Sequence, residues 1–185
     1  MKYFLGIDPS LTDTGIAIIN DKNEIVFSDS IKTENQGNYV KNRFERCFVI
    51  SNGIKEFVVN YKIDVIAIEN YSLQGKGKIV QLVELGTFIR QNFFNSLILE
   101  VAPLSLKKYI LGNVKGSNKS LILKEVFKKW GIDVDNDNIA DAFVLAKLAR
   151  HYYYKNVLKT NDVFHKYQDE VIDSVYNQNF KKWTN

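Results

Sequence analysis

Short apolar runs separated by polar turns fill the first third of the chain. Tyr3-Phe4-Leu5-Gly6-Ile7 ends on Asp8, and Pro9-Ser10-Leu11-Thr12-Asp13-Thr14-Gly15 turns the chain back into a second run, Ile16 to Ile19. Residues 3–8, 15–20 and 24–31 read as three consecutive strands, with Asn20-Asp21-Lys22-Asn23 as the second turn. From Tyr39 to Tyr61 the apolar positions Phe44, Phe48, Ile50, Ile54, Phe57 and Val58 recur near helical period, which predicts a helix. Asp64-Val65-Ile66-Ala67-Ile68 is a fourth strand that delivers Glu69 to its end. Tyr71 to Lys78 is a loop, made flexible and basic by Gly75-Lys76-Gly77-Lys78. A helix follows from Ile79 to Phe94, apolar on more than one face, and Ser96 to Val101 is a fifth strand.

After Pro103 a short helix carries Leu104, Leu106, Tyr109 and Ile110 and ends near Gly112. A loop over residues 113–118 leads to a helix from Lys119 to Trp130 and then an acidic turn, Asp133 to Asp137. The last clear helix runs from Asn138 to Tyr154, and Lys155 to Asn185 reads as an appended helix or tail. Together these elements predict an α/β domain over residues 1–155, a five-stranded mixed sheet flanked by helices, with a C-terminal extension over 156–185.

The chain's 185 residues, 45% of them hydrophobic, suffice for one domain with a real core. The one cysteine, Cys47, excludes a disulfide framework and reads as a buried structural thiol in a reducing compartment. No apolar stretch approaches the roughly 20 residues of a membrane span, and the N-terminus lacks the basic and apolar regions of a signal peptide. The expectation is a soluble cytoplasmic protein. Net charge is +4, but residues 101–130 alone carry seven lysines against Glu125, a local +6 that leaves −2 for the rest. A basic stripe beside an acidic cluster fits an enzyme that grips a polyanion; a solvated lysine-rich helix face accounts for it equally.

Asp8 and Glu69 close two strands, and Asn138-Ile139-Ala140-Asp141 opens a helix with polar groups three apart. Mg²⁺ takes hard oxygen ligands, and two such ions flanking a phosphodiester promote its hydrolysis. The expectation is that oxygens of Asp8, Glu69 and Asp141 converge within one ion's reach. Taken singly, the strand-end acids read as turn residues, and Asp137 or Asn138 as a helix cap. Asp141 differs, because Ala140, Ala142, Phe143 and Val144 surround it with apolar neighbours.

Gly6-Ile7-Asp8-Pro9 with Thr14-Gly15, Ala67-Ile68-Glu69, Ala102-Pro103 with Lys107, Gly112 and Lys119, and Ile139-Ala140-Asp141-Ala142 with Ala146 form a recognisable series. On these strings the chain resembles the RuvC-type Holliday-junction resolvases of the ribonuclease H-like superfamily. The resemblance implies a ribonuclease H-like fold and a homodimer that nicks four-way and other branched DNA, leaving 5′-phosphate and 3′-hydroxyl ends. It implies two Mg²⁺ ions per active site, with Mn²⁺ able to substitute, and no nucleotide cofactor or membrane partner. Asp8, Glu69 and Asp141 match the family's metal-binding, catalytic acids, and Lys107 and Lys119 match basic positions near the scissile phosphate, Lys119 assisting catalysis. Asn138 stands where most members carry a fourth acid, so either its carbonyl oxygen ligates, or Asp137 substitutes, or substrate oxygens complete the site. Length and the lack of a cofactor motif point to a phage-type member acting in the host cytoplasm.

The family often places an aromatic wedge three residues beyond the second acid, where this chain has Ser72 between Tyr71 and Leu73. Tyr71 either wedges the branch point or packs under its loop; Lys76 and Lys78 are further DNA-binding candidates. Rival readings are a non-cleaving protein that binds branched DNA, favoured by Asn138, and a less selective flap or fork nuclease. The actin-like ATPase fold shares Gly6-Ile7-Asp8 with Thr14-Gly15 but needs two such domains. His151 and His165 read as surface or tail residues rather than general bases.

Overall fold

The computed structural model describes residues 1–37, 40–71, 79–115, 118–134, 136–160 and 164–181. Five strands, β1 (Tyr3–Asp8), β2 (Asp13–Asn20), β3 (Ile25–Lys32), β4 (Ile63–Glu69) and β5 (Leu97–Val101), form one mixed sheet in the order β3-β2-β1-β4-β5. β1, β2 and β3 run as an antiparallel meander, whereas β4 and β5 join β1 in parallel through crossover helices. The five-stranded mixed sheet expected from the sequence is present.

Strand alternation sorts the core into two layers. Leu5, Ile7, Ile16, Ile18, Ile66 and Ile68 face α1 (Val40–Val58) and α2 (Ile79–Gln91). Phe4, Ala17, Ile19, Val65, Ala67, Leu99 and Val101 face the other layer, built on α5 (Asp137–Tyr152). That layer also holds α3 (Pro103–Leu111), α4 (Lys119–Trp130) and α6 (Lys166–Phe180). β1 and β4 are buried on both faces, which is why they read as nearly continuous apolar runs.

The buried stripe of α1 is Arg46, Cys47, Ile50, Ser51, Ile54 and Val58, while Phe44 and Phe48 are 40% and 59% exposed. Arg46 is tolerated there because it donates to the Leu11 carbonyl (2.6 Å) and the Thr33 hydroxyl (2.9 Å). His151 is not a surface residue: it is fully buried, between the Tyr109 hydroxyl at 3.2 Å and Asp169 at 3.0 Å, with Phe164 stacked on its ring.

Beyond α5 the chain continues as a π-helical turn, Tyr153–Leu158, ended by Lys159 at φ 55. α6 then packs on α3 and β5. Its Asn179 accepts from the Glu100 N–H (2.9 Å) and donates to the Glu100 carbonyl (3.0 Å), pairing the open edge of β5 as a strand would. His165 and Gln168 form a reciprocal cap at the start of α6. Among the described residues no helix is long and apolar enough to cross a membrane.

Candidate active site

Asp8 and Glu69 leave neighbouring parallel strands. The register pairs Ile7 with Ile68, so the two acids emerge side by side at one sheet end. Alternation gives Asp8 the face of Phe4 and Gly6, and Glu69 that of Val65 and Ala67. This is the face that α5 covers. Two glycines bring α5 unusually close: a Cβ on Gly6 would stand 1.9 Å from the Ala142 carbonyl oxygen, and one on Gly15 would stand 2.0 Å from that of Asn138. Glycine is required at both positions because only backbone without a side chain can lie against helix backbone. The contact sets the first turn of α5, and Asp141 with it, over the end of β1.

The N-terminus of α5 is further pinned by Asn136, whose side chain accepts from the Asn138 N–H (2.9 Å) and donates to Asp13 (3.2 Å). The sequence places cap-forming residues over Asp133–Asp137 and starts the helix at Asn138; the structure makes Asn136 the cap and adds Asp13 as its partner. The spacing Asn136-x-Asn138 before an apolar helical run was the signal available.

The acids disturb one another strongly. Burial pushes the Asp8 carboxyl well above the usual carboxylate range, with Glu69 and Asp137 adding repulsion, and Asp8 and Glu69 share a hydrogen bond. Burial raises Glu69 as well, Asp141 adding to it and Lys107 opposing it. Asp141 is pushed up to about 7, first by burial and then by Asp8 and Asp137, against Lys107 and Lys119. A buried set of acids that cannot all be ionised lacks positive charge, and its carboxylate oxygens are the donors a hard divalent cation takes. Among the described residues, though, no three acidic, imidazole or thiol groups are already disposed to hold one ion. Asp8 and Glu69 stand close enough to perturb each other, and Asp141 stands near enough to add to the repulsion.

Asp137 belongs to the same cluster, as its influence on Asp8 and Asp141 shows, and it is ion-paired with the exposed ammonium of Lys119. Lys119 sits at the first position of α4, where the Asn118 side chain caps the helix by accepting from Leu121 N–H (2.9 Å). Lys107 projects from α3, whose start is fixed by Pro103 after Ala102 and whose end is Gly112 in the left-handed region. The basic positions matched from the sequence thus adjoin the acids. Among the described residues the Asn138 side-chain amide makes no hydrogen bond, while its backbone N–H is held by Asn136.

Tyr71 packs inward. Its hydroxyl accepts from Arg90 (2.6 Å), which also pairs with Glu100 at 2.8 Å, and that same hydroxyl oxygen lies 1.9 Å from where a Cβ on Gly86 would fall. Ser72, Leu73, Lys76 and Lys78 lie outside the described residues.

The family model of crossover junction endodeoxyribonuclease RuvC matches residues 4–148, a span that includes all four acids and both lysines. The chain belongs to the RuvC family. It is an endodeoxyribonuclease of the crossover-junction class. A solved structure of Thermus thermophilus RuvC in complex with Holliday junction substrate has the same fold, with TM-score 0.67 over 85% of this chain and 96% of that one, at 16% identity. A second structure of Thermus thermophilus RuvC gives TM-score 0.66 at 17% identity, over 84% and 96% of the two chains. No curated protein matches the sequence.

Proposed function

We propose that the protein resolves four-way and other branched DNA as a divalent-metal-dependent, structure-selective endonuclease leaving 5′-phosphate and 3′-hydroxyl ends. The observation that carries this reading is the paired strand-end acids facing Asp141 across a glycine-tight helix contact. Asp8, Glu69 and Asp141, with Asn138 or Asp137, would hold two Mg²⁺ or Mn²⁺ ions. Such ions activate the attacking water and stabilise the departing oxygen. Each acid must be ionised to bind one, so carboxyls raised by burial and mutual repulsion would release their protons on loading. Lys107 and Lys119 offset the charge of the phosphate beside the acids. Thermus thermophilus RuvC was solved on Holliday junction substrate, which supports branched DNA as the ligand here.

A two-fold-symmetric substrate calls for a two-fold enzyme, and an exposed apolar stripe supports a homodimer. Val40, Phe44 and Phe48 lie four apart on α1, with exposed Val80 and Val83 on adjoining α2.

A labelled four-way junction incubated with wild-type and Asp8→Asn protein, with and without Mg²⁺, tests the reading. Cleavage is expected only for wild type with metal, while D8N binds the junction as well or better because a negative charge is gone. Full D8N activity refutes the assignment. A second reading, junction binding without cutting, is favoured by the neutral Asn138; it requires wild type to bind and leave the DNA intact in both Mg²⁺ and Mn²⁺.

A further inference from the structure

At the other end of α4 and α5 lies a cavity of about 480 Å³ that the nuclease reading does not use. Lys147 and Arg150 come six and nine residues after Asp141, about 9 and 13 Å along the helix axis. With Lys129 they place three cations on the wall, beside Trp130, Asn23 and Gln168. Among the described residues none of the three has an ion-pair partner. Their polar contacts are all to neutral acceptors: Lys147 to the Asn23 side chain (2.6 Å), Lys129 to the Tyr167 hydroxyl (2.7 Å) and the Ile110 carbonyl, and Arg150 to the Asp21 carbonyl (2.8 Å). Of the acids on α6, Asp169 pairs with His151 and Lys155, and Glu170 with Lys108; Asp21, whose carbonyl takes Arg150, forms no ion pair with the three cations and has one buried carboxylate oxygen without a hydrogen-bond partner.

Three like charges around one concavity repel each other unless an anion enters. Lys147 records this: burial, then Arg150, pushes its ammonium down to about 8, with no acid opposing. α6 also begins at the rim, adding the positive end of a 15-residue helix. The volume falls within the roughly 300–1,000 Å³ of small-ligand sites, more than a bare phosphate fills.

We infer that this cavity binds a phosphate-bearing ligand of the nucleotide class, its phosphate held by Lys147, Arg150 and Lys129. The phosphate can belong to a free nucleoside monophosphate or to a DNA arm passing from the active site; only the second source rests on the proposed function.

Calorimetric titration of the full chain with thymidine 5′-monophosphate, inorganic phosphate and thymidine tests the inference. The monophosphate should bind, thymidine should bind at least tenfold more weakly, and K147Q and R150Q should each lose at least tenfold for the monophosphate. Lys147→Met, which keeps an apolar stem on Trp130 without the charge, should match K147Q, with thermal melts confirming that each variant folds. D8N protein should bind the monophosphate as wild type does, separating this inference from the nuclease reading. In parallel, junction affinity is measured against salt. If a DNA phosphate occupies the cavity, K147Q reduces the log–log salt slope by about one; if the ligand is free, the slope is unchanged and only the monophosphate arm responds. The inference is overturned if neither phosphate compound binds and junction affinity is indifferent to K147Q and R150Q.

Discussion

Single side chains at the candidate site act mainly through charge and close approach. Lys107 stands near enough to lower the carboxyls of Glu69 and Asp141, and on the proposed function it would face the phosphate those acids serve. Lys107→Ala should therefore weaken junction binding and reduce the log–log salt dependence by about one counterion, read by filter binding from low to moderate salt; an unaltered slope argues against a phosphate contact. Gly6 acts by having no side chain. In Gly6→Ala the new carbon meets the Ala142 oxygen and, at 2.5 Å, the Ala146 nitrogen, both backbone atoms that cannot turn aside. α5 must then lift from β1, with a stability loss of about 1–3 kcal/mol. Because Asp141 rides on that helix, cleavage measured well below the melting temperature should fall by about 10²-fold. Normal activity with a lowered melting temperature would separate the glycine's packing role from the site. The acids themselves were readable from the sequence, because a strand's period of two and a strand end fix both the face and the height of Asp8 and Glu69. Their raised carboxyls are not, because the burial and repulsion that cause the shifts depend on neighbours that only the fold brings together.

Elements were legible to the extent that one periodicity served one core. β1, β2, β4 and β5 lie close to their expected bounds, whereas in α1 the helical period picks out the buried Ile50, Ile54 and Val58 together with Phe44 and Phe48, which face solvent. Phe44 and Phe48 have helical spacing, but the side that packs on the sheet carries Cys47, Ile50, Ile54 and Val58, interrupted by Arg46 and Ser51. A buried arginine satisfied by Leu11 and Thr33 is invisible until those residues are brought together. His151 was misjudged for the same reason, since its partners Tyr109 and Asp169 come from α3 and α6. Its consequence is measurable. Burial holds His151 down to about 4, opposed by Asp169 and Asp173 and assisted by Lys155. The folded value lies below the ordinary 6.5 of the unfolded chain, so the neutral ring contributes stability at pH above about 6.5 that is lost as pH falls towards 4. Chemical denaturation across that window should show a loss of up to roughly 3 kcal/mol from this group. His151→Phe should flatten the pH dependence; equal slopes in the two proteins would place the proton uptake elsewhere.

At the scale of the whole molecule, the two faces of the sheet are finished differently. The α5 face is closed by three further helices, and even the β5 edge is capped by Asn179. Among the described residues the opposite face is covered by α1 and α2, which leave Val40, Phe44, Phe48, Val80 and Val83 in solvent. A contiguous apolar stripe of this kind on one exposed layer is the feature that association between identical chains removes from water. Phe48, 59% exposed on α1 and outside the core, is a suitable probe because a charge there does not disturb the monomer's packing. Phe48→Glu should convert the proposed dimer to a monomer by light scattering while the melting transition at low concentration stays near that of wild type. The functional consequence separates this surface from an incidental one. A dimer places two sets of acids on one junction and cuts both strands within one binding event, so a supercoiled plasmid bearing an extruded cruciform becomes linear. The monomeric variant should still nick, because Asp8, Glu69 and Asp141 all come from one chain, but it should release the same plasmid as nicked circles. Linear product from a protein shown to be monomeric would move the two-fold interface away from α1 and α2.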